Sequence, residues 1–112
     1  MKLRLTKRIS TELRPCLRAR ATPVIMANYD ALHAIAAAID KGDDAGRGGA
    51  HGETRIDMTF WPRGRIALLR DILSDTLTAC SQVQVRAAIQ RRIDRLDDFL
   101  GTSAVERLAR LS

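Results

Sequence analysis

Residues with the chemistry for catalysis or metal binding are few in this sequence, and they are not grouped. The two histidines are His33 and His51, and the two cysteines are Cys16 and Cys80, which lie far apart. Neither a Cys-x-x-Cys nor a His-Glu-x-x-His pattern occurs, and these spacings are the ones that place two ligands on one zinc ion. We therefore predict no metal site and no cofactor. Isolated thiols are typical of reduced residues in a cytoplasmic protein.

The carboxylates occur in neighbouring pairs that the hydrophobic pattern leaves on solvated surfaces. A general acid or base needs a cleft that shifts its pKa, and an exposed helix face or loop provides none. No serine stands in a Gly-x-Ser-x-Gly turn, and no cysteine lies close to a histidine. We therefore predict that the protein is not an enzyme, with no catalytic residue and no small-molecule substrate. The pairs are Asp43 and Asp44, Asp71 and Asp75, and Asp97 and Asp98.

Positive charge is concentrated at the start of the chain. The net charge is +6, and residues 1–20 contain seven basic residues against one acidic residue. Because the whole chain has 19 basic and 13 acidic residues, the remainder has twelve of each sign. The basic character therefore belongs to the first twenty residues, and the body alone lacks the excess of basic residues typical of DNA-binding domains.

Residues 1–25 form an arginine-rich segment in which an aliphatic residue recurs every fourth position. The spacing predicts one face of a helix, which Pro15 interrupts and Pro23 ends. Three interpretations stay open: a basic arm, a targeting-like extension, or residues outside the mature protein, since Met26 would serve equally well as a start. We predict an N-terminal extension over 1–25, disordered or not native, and one small helical domain over 26–112. The repeat is Leu5, Ile9, Leu13 and Leu17.

The domain begins with a predicted helix that leads into a glycine-rich loop. Asn28 is a good N-cap, the apolar positions of residues 28–41 share one face, and Gly42 is placed as the glycine that follows the helix. Residues 42–53 then form a loop. It lacks the preceding strand and the Gly-Lys-Ser/Thr ending of a phosphate-binding loop, so the sequence does not predict one here.

Residues 54–61 change to a two-residue period, which predicts a half-buried strand. Trp61-Pro62 ends this strand, because proline cannot donate to a ladder. The predicted inner face holds Ile56, Met58 and Phe60, and the predicted outer face holds Arg55, Asp57 and Thr59.

Helical spacing returns at Arg65 and predicts two consecutive helices. The first ends near residues 79–81, Ser81 caps the second, and the second runs to Leu100. Gly101 ends it, and a short helix over 103–111 follows. We therefore predict a mainly α fold with one short β element, in which a helix precedes a strand–helix–helix unit.

The predicted strand has no obvious partner near it in the sequence. A lone strand leaves unpaired backbone groups, so either residues 2–9, which alternate weakly, or the same strand of a second chain must pair with it. The body is also small, and narrow apolar stripes often complete their core at a dimer interface. We predict a homodimer with a shared helical core; closure of the last two helices as an intrachain hairpin is the alternative.

The strand–helix–helix unit of residues 54–100 resembles the ribbon-helix-helix family of transcriptional repressors. The resemblance rests on Ile56-Asp57-Met58-Thr59-Phe60, on Trp61-Pro62-Arg63 and on two helices of similar length. It implies a dimer whose paired strands lie in the DNA major groove, with outward side chains reading bases and a helix N-terminus near a phosphate. The DNA-binding residues that it implies are Arg55, Asp57, Thr59 and Ser81.

The sequence departs from the family's pattern at two places. The turn between the helices is Thr78-Ala79-Cys80-Ser81, where the family usually has a glycine. Asp57 would face a polyanion, which is unfavourable unless its carboxylate accepts from a cytosine. The strand of residues 56–60 also fits a simpler role, as an edge strand that covers a helical pair.

A protein-binding function fits the same features. Small helical dimers often sequester a larger regulator through an apolar groove or a strand edge, as a bacterial antiactivator does. In either case we predict a cytoplasmic regulator of transcription whose partner is DNA or a larger regulatory protein, with a membrane surface as partner only if residues 1–20 are native. Trp61 also fits packing over the end of the helix pair. The predicted protein-binding anchors are Phe60, Trp61, Arg63 and Arg65, since aromatic residues and arginine dominate hot spots.

Overall fold

The computed structural model describes residues 2–21, 29–46 and 53–101. Over these ranges the chain is mainly helical, with one short antiparallel sheet, which confirms the predicted fold class. The helix–strand–helix–helix order predicted for the domain is preceded by one more strand and one more helix. The elements are β1 Lys2–Leu5, α1 Lys7–Ala21, α2 Tyr29–Gly46, β2 Thr54–Asp57, α3 Arg63–Ala79 and α4 Val83–Phe99.

The sheet joins the start of the chain to its middle. β1 pairs with β2 in antiparallel orientation, with Leu3 opposite Ile56 and Leu5 opposite Thr54. These four side chains are buried, while their neighbours on both strands point to solvent. The alternation predicted for residues 54–57 is therefore confirmed. Of the two partners that the sequence left open for this strand, the structure uses the N-terminal segment of the same chain.

β2 is shorter than the sequence predicts, and Phe60 was wrongly placed on its inner face. The strand ends at Asp57, whose carboxylate accepts the Thr59 N–H at 3.0 Å and the Thr59 hydroxyl at 2.5 Å. The Trp61 N–H then donates to the Met58 carbonyl at 3.1 Å. An aspartate that bonds to the backbone two residues ahead closes a turn. Met58 remains buried, but Phe60 on this turn is 96% exposed.

α1 runs unbroken through Pro15, which corrects the predicted interruption. Proline removes the hydrogen bond to the carbonyl four residues earlier, here that of Thr11. Both residues are exposed, so water can replace the lost donor. The other face carries the four-residue repeat into the core, where Ile9 and Leu13 are fully buried.

Residues 2–21 belong to the same core as the rest of the described chain. Leu3, Leu5, Ile9, Leu13 and Leu17 are buried there. The sequence predicted an N-terminal extension over 1–25 that is disordered or not native, whereas the structure packs residues 2–21 into the core. The later elements complete the core with Leu32, Ile35, Ile39, Ile56, Met58, Ile66, Leu68, Leu69, Ile72, Leu73, Cys80, Ile89, Ile93 and Leu96.

Several predicted helix ends move by a few residues. α2 continues to Gly46 and not only to residue 41, since an interior glycine such as Gly42 costs only about 1 kcal/mol. α3 begins at Arg63 directly after Pro62. The predicted cap Asn28, the rest of the glycine-rich loop and the short helix over 103–111 lie outside the described residues.

The connection between α3 and α4 is stabilised by an arginine. Arg86 Nη1 donates to the carbonyl of Leu77 at 2.6 Å and to that of Cys80 at 2.8 Å. These carbonyls belong to the end of α3, where no helical N–H follows to satisfy them. α4 itself is preceded by Gln82 without a side-chain cap, so the predicted cap at Ser81 is wrong. Gly101 has φ +78°, which fits the predicted helix end.

Among the helices of the described ranges, none combines the length and the apolar character that crossing a lipid bilayer requires.

A chain that begins at Met26 should not fold cooperatively, because it lacks β1 and α1. Replacing one buried leucine by alanine costs about 2–5 kcal/mol. The five buried aliphatic side chains of residues 2–21 therefore contribute about 10–25 kcal/mol, which equals or exceeds the ~5–15 kcal/mol stability of a typical domain. Thermal unfolding followed by circular dichroism measures this; a cooperative transition like that of the full chain would contradict the packing.

Candidate functional site

Two arginines face each other on the outer surface of the sheet. The register places Arg4 of β1 directly opposite Arg55 of β2, and both side chains are exposed. Like charges at such directly opposed positions destabilise a sheet. Among the described residues, no carboxylate lies within ion-pair distance of either guanidinium. The pair therefore has a local electrostatic cost that the described protein does not relieve.

α4 adds three more arginines beside this pair. A cleft of about 560 Å³ is lined by Lys2, Leu3, Arg4, Arg55, Ile56, Asp57 and Arg95. An adjoining recess of about 260 Å³ is lined by Leu3, Arg4, Arg91, Arg92 and Arg95. Because the two share Leu3, Arg4 and Arg95, they form one continuous surface, which we call the basic cleft. Its lining includes six basic side chains and one carboxylate.

The hydrophobic spacing of α4 determines which arginines reach the cleft. Ile89, Ile93 and Leu96 are buried against the core. The residues between them therefore face solvent or lie at the border of the buried face of α4. A partly buried ion pair fixes the same rotation, since Arg70 Nε of α3 lies 2.9 Å from Oδ1 of Asp97, whose side chain is only 7% exposed. This bond raises the pKa of Arg70.

Arg92 ties α4 to β1. Its Nε donates to the Arg4 carbonyl at 3.1 Å, and its Nη1 donates to the Ala88 carbonyl at 2.9 Å. Burial lowers the pKa of Arg92, the neighbouring Arg91 lowers it further, and Glu53 partly offsets both effects. Arg92 is thus half-buried and committed to backbone carbonyls, whereas Arg91 and Arg95 are exposed. We interpret Arg92 as a positioning residue for the cleft.

The carboxylate of the cleft is held in its charged form. The hydroxyl and the N–H of Thr59 both donate to Asp57, and these bonds lower the pKa of Asp57, with Lys2 contributing less. Asp57 lies opposite Lys2 in the register. The end of the sheet at Lys2 and Asp57 is therefore nearly neutral, and the positive charge is concentrated at Arg4, Arg55 and the arginines of α4.

Sequence reasoning found part of this site. Arg55 and Asp57 line the cleft as predicted for outward strand residues. Thr59 is exposed beyond the strand end and bonds to Asp57, and exposed Ser81 lies between α3 and α4, so neither is among the lining residues. The residues that were missed are Lys2, Arg4, Arg91, Arg92 and Arg95. The i, i+1, i+4 spacing of the α4 arginines could have indicated one basic helix face.

The predicted protein-binding anchors do not share one environment. Phe60 is exposed, whereas Trp61 is partly buried and packs against the core. The Arg65 guanidinium carbon lies 5.4 Å from the centroid of the Trp61 ring, in a cation–π contact. Arg63 Nη2 donates to the Leu100 carbonyl, which joins the start of α3 to the end of α4. Of these four predicted anchors, only Phe60 presents a large apolar side chain almost fully to solvent.

Within the ranges that the structure describes, no three His, Cys, Asp or Glu side chains converge as metal ligands would. Comparison of the chain with protein-family models, with curated proteins and with solved structures finds no match. The function must therefore be argued from the basic cleft itself.

Arg92→Met should lower the free energy of unfolding by about 1–3 kcal/mol, because it removes the donors to the Arg4 and Ala88 carbonyls. Urea denaturation measures the loss. Arg91→Met is the matched control: this neighbouring guanidinium is exposed and donates to no described group, so its loss should change stability by less than about 0.5 kcal/mol. Equal effects of the two substitutions would show that Arg92 does not tie α4 to β1.

Proposed function

We propose that the protein binds nucleic acid through the basic cleft and acts in this way as a non-enzymatic regulator of transcription. The observation that carries the proposal is the directly opposed Arg4 and Arg55, which lie in one cleft with Arg95 and have no described carboxylate partner. A ligand with closely spaced negative charges relieves the repulsion between these arginines.

Phosphodiester groups are the ligand that matches this charge pattern. Each guanidinium can bind a phosphate through two parallel N–H···O bonds. Arg4, Arg55, Arg91 and Arg95 can therefore contact several successive phosphates along the cleft. Binding would also release the counterions condensed on the nucleic acid, which is the main source of sequence-independent affinity.

The fold distributes the charged side chains differently from their order in the sequence. The body alone is neutral, but two of its acidic residues are paired away from the cleft, since Arg14 and Arg20 of α1 lie 2.9 Å and 2.5 Å from Asp40 and Asp75. β1 brings Lys2 and Arg4 from the basic segment to the arginines of the body. Positively charged side chains from β1, β2 and α4 thus meet on one surface.

The ribbon-helix-helix resemblance and the homodimer remain proposals. Arg55 and Asp57 point outward, as the resemblance requires, and two helices follow the strand. However, β2 takes its partner from the same chain, so an unpaired strand no longer demands a second copy. The small core is the remaining argument for a homodimer.

A second candidate function is the sequestration of another regulator, and the exposure of Phe60 favours it. A protein partner would cover an aromatic side chain that is otherwise 96% in solvent. Apolar contacts depend little on salt, whereas phosphate contacts depend on it strongly. The salt dependence of binding therefore separates the two functions.

The affinity for a labelled single-stranded oligonucleotide should fall about a hundredfold between ~50 and ~200 mM salt. This estimate assumes about five phosphate contacts at a slope of about −0.7 per phosphate. Arg55→Ala or Arg95→Ala should weaken binding and reduce the slope by roughly one contact. Fluorescence anisotropy measures both.

Arg8→Ala is the control for this experiment. It removes the same charge from the chain, but Arg8 lies on α1 and pairs with Glu12 at 3.3 Å. The affinity of the Arg8→Ala variant for the oligonucleotide should stay close to that of the unsubstituted protein. If no oligonucleotide, single-stranded or duplex, binds at ~50 mM salt, or if the three substitutions act alike, the cleft is not a nucleic-acid site.

Asp57→Asn should raise the affinity for the same oligonucleotide about two- to fivefold, because it removes the one negative charge of the cleft lining. Since the bonds from Thr59 lower the pKa of Asp57, the native carboxylate stays ionised as the pH falls from about 7 to about 5. The gain should therefore be the same at both pH values. A gain that vanishes near pH 5 would show that Asp57 is protonated there, contrary to its bonding.

A further inference from the structure

Phe60 follows the cleft-lining strand β2 by three residues and exposes almost its whole ring. The side chain is 96% accessible on the turn that follows β2. Asp57, three residues earlier, lines the cleft. Three residues span at most about 11 Å, and the Trp61 N–H to Met58 carbonyl bond folds the chain back within that span. The aromatic ring is therefore held near the end of the cleft that Lys2 and Asp57 form, with its backbone at most about 11 Å from that of Asp57.

We propose that the nucleic acid bound by the cleft is single-stranded and that Phe60 stacks on one of its bases. This inference rests on the proposed function and specifies its ligand. Proteins that bind single strands combine a positively charged groove with aromatic side chains on which bases stack. Arg4, Arg55, Arg91 and Arg95 provide the groove, and Phe60 provides the aromatic face.

The shape of the cleft favours a single strand over the major groove of a duplex. A β-ribbon that reads base edges must protrude into a groove about 12 Å wide and 8.5 Å deep. Here the outward arginines of the sheet line a cleft together with Arg91 and Arg95 of α4. A cleft is a concave surface, so it accommodates one phosphodiester chain better than it enters a duplex.

The surroundings of Phe60 favour a base over a protein partner. Protein hot spots are clusters of large side chains that exclude water together. The neighbouring Trp61 is packed on the core beneath Arg65, and Thr59, Pro62 and Arg63 are exposed. Phe60 is thus the one aromatic ring at this turn that is almost fully exposed, and a single ring matches the face of one base.

The test compares strands that differ only in their bases. A twelve-nucleotide oligothymidylate and an abasic strand with the same number of phosphates are titrated into the full chain and into Phe60→Ala. Stacking of one base contributes about 5- to 100-fold in affinity. Phe60→Ala should lose this factor for oligothymidylate and keep its affinity for the abasic strand. Phe60→Tyr, which retains an aromatic face, should bind oligothymidylate almost as the native chain does.

Val83→Ala is the matched control, because Val83 is another apolar side chain that is 80% exposed, at the start of α4. The affinity of the Val83→Ala variant for both strands should equal that of the native chain. Trp61, the single tryptophan of the chain, gives an independent readout next to Phe60. Its fluorescence should change on addition of oligothymidylate and much less on addition of the abasic strand.

The outcomes separate this inference from the function on which it rests. If Phe60→Ala binds both strands as the native chain does, and the binding is salt-dependent, stacking is overturned and the nucleic-acid function stands. Tighter binding of a twelve-base-pair duplex than of oligothymidylate would overturn the single-strand assignment in favour of duplex DNA. If no strand binds at low salt, both proposals fall, and Phe60 is then best explained as a protein contact.

Discussion

The antiparallel pairing of β1 with β2 is the constraint on which the rest of the structure depends. Neither four-residue strand can satisfy its backbone groups alone, and the two lie about fifty residues apart in the chain. Their register buries Leu3 and Leu5 and presents Arg4 and Arg55 together. A slip of one residue would exchange the two faces, burying the arginines and exposing the leucines. The hydrophobic core therefore enforces the electrostatic repulsion on the outer face.

The helices convert this ribbon into a cleft. α4 could lie beside the sheet in many rotations, but its buried isoleucines, the Arg70–Asp97 pair and the Arg92 bond to the Arg4 carbonyl select one. In that rotation, basic residues from three segments of the chain, β1, β2 and α4, converge. Other arginines of the described chain have structural roles, such as Arg86 at the end of α3 and Arg20 opposite Asp75. Arginine content by itself therefore says little about where a polyanion binds.

Periodicity predicted local structure well and long-range pairing only in part. The four-residue repeat of α1, the alternation at residues 54–57 and the two final helices follow directly from side-chain spacing. The strand's partner was left open, because pairing across fifty residues leaves no local signature in the sequence. Pro15 misled the prediction because an exposed position tolerates the lost hydrogen bond. The prediction that Phe60 lies on the inner face of the strand was wrong, because the bonds from Thr59 to Asp57 end the strand before the alternation of the sequence stops.

The distance between the two strands also affects the order in which the chain can fold during synthesis. A ribosome adds about 5–20 residues per second, so β1 is made roughly 3–10 seconds before the last residue of β2. During that interval the backbone of β1 has no strand to pair with, and its leucines have no sheet to join. The hydrogen bonds of α1 and α2 are local, so they do not depend on β2. Pairing of the two strands, by contrast, has to wait until β2 has been made.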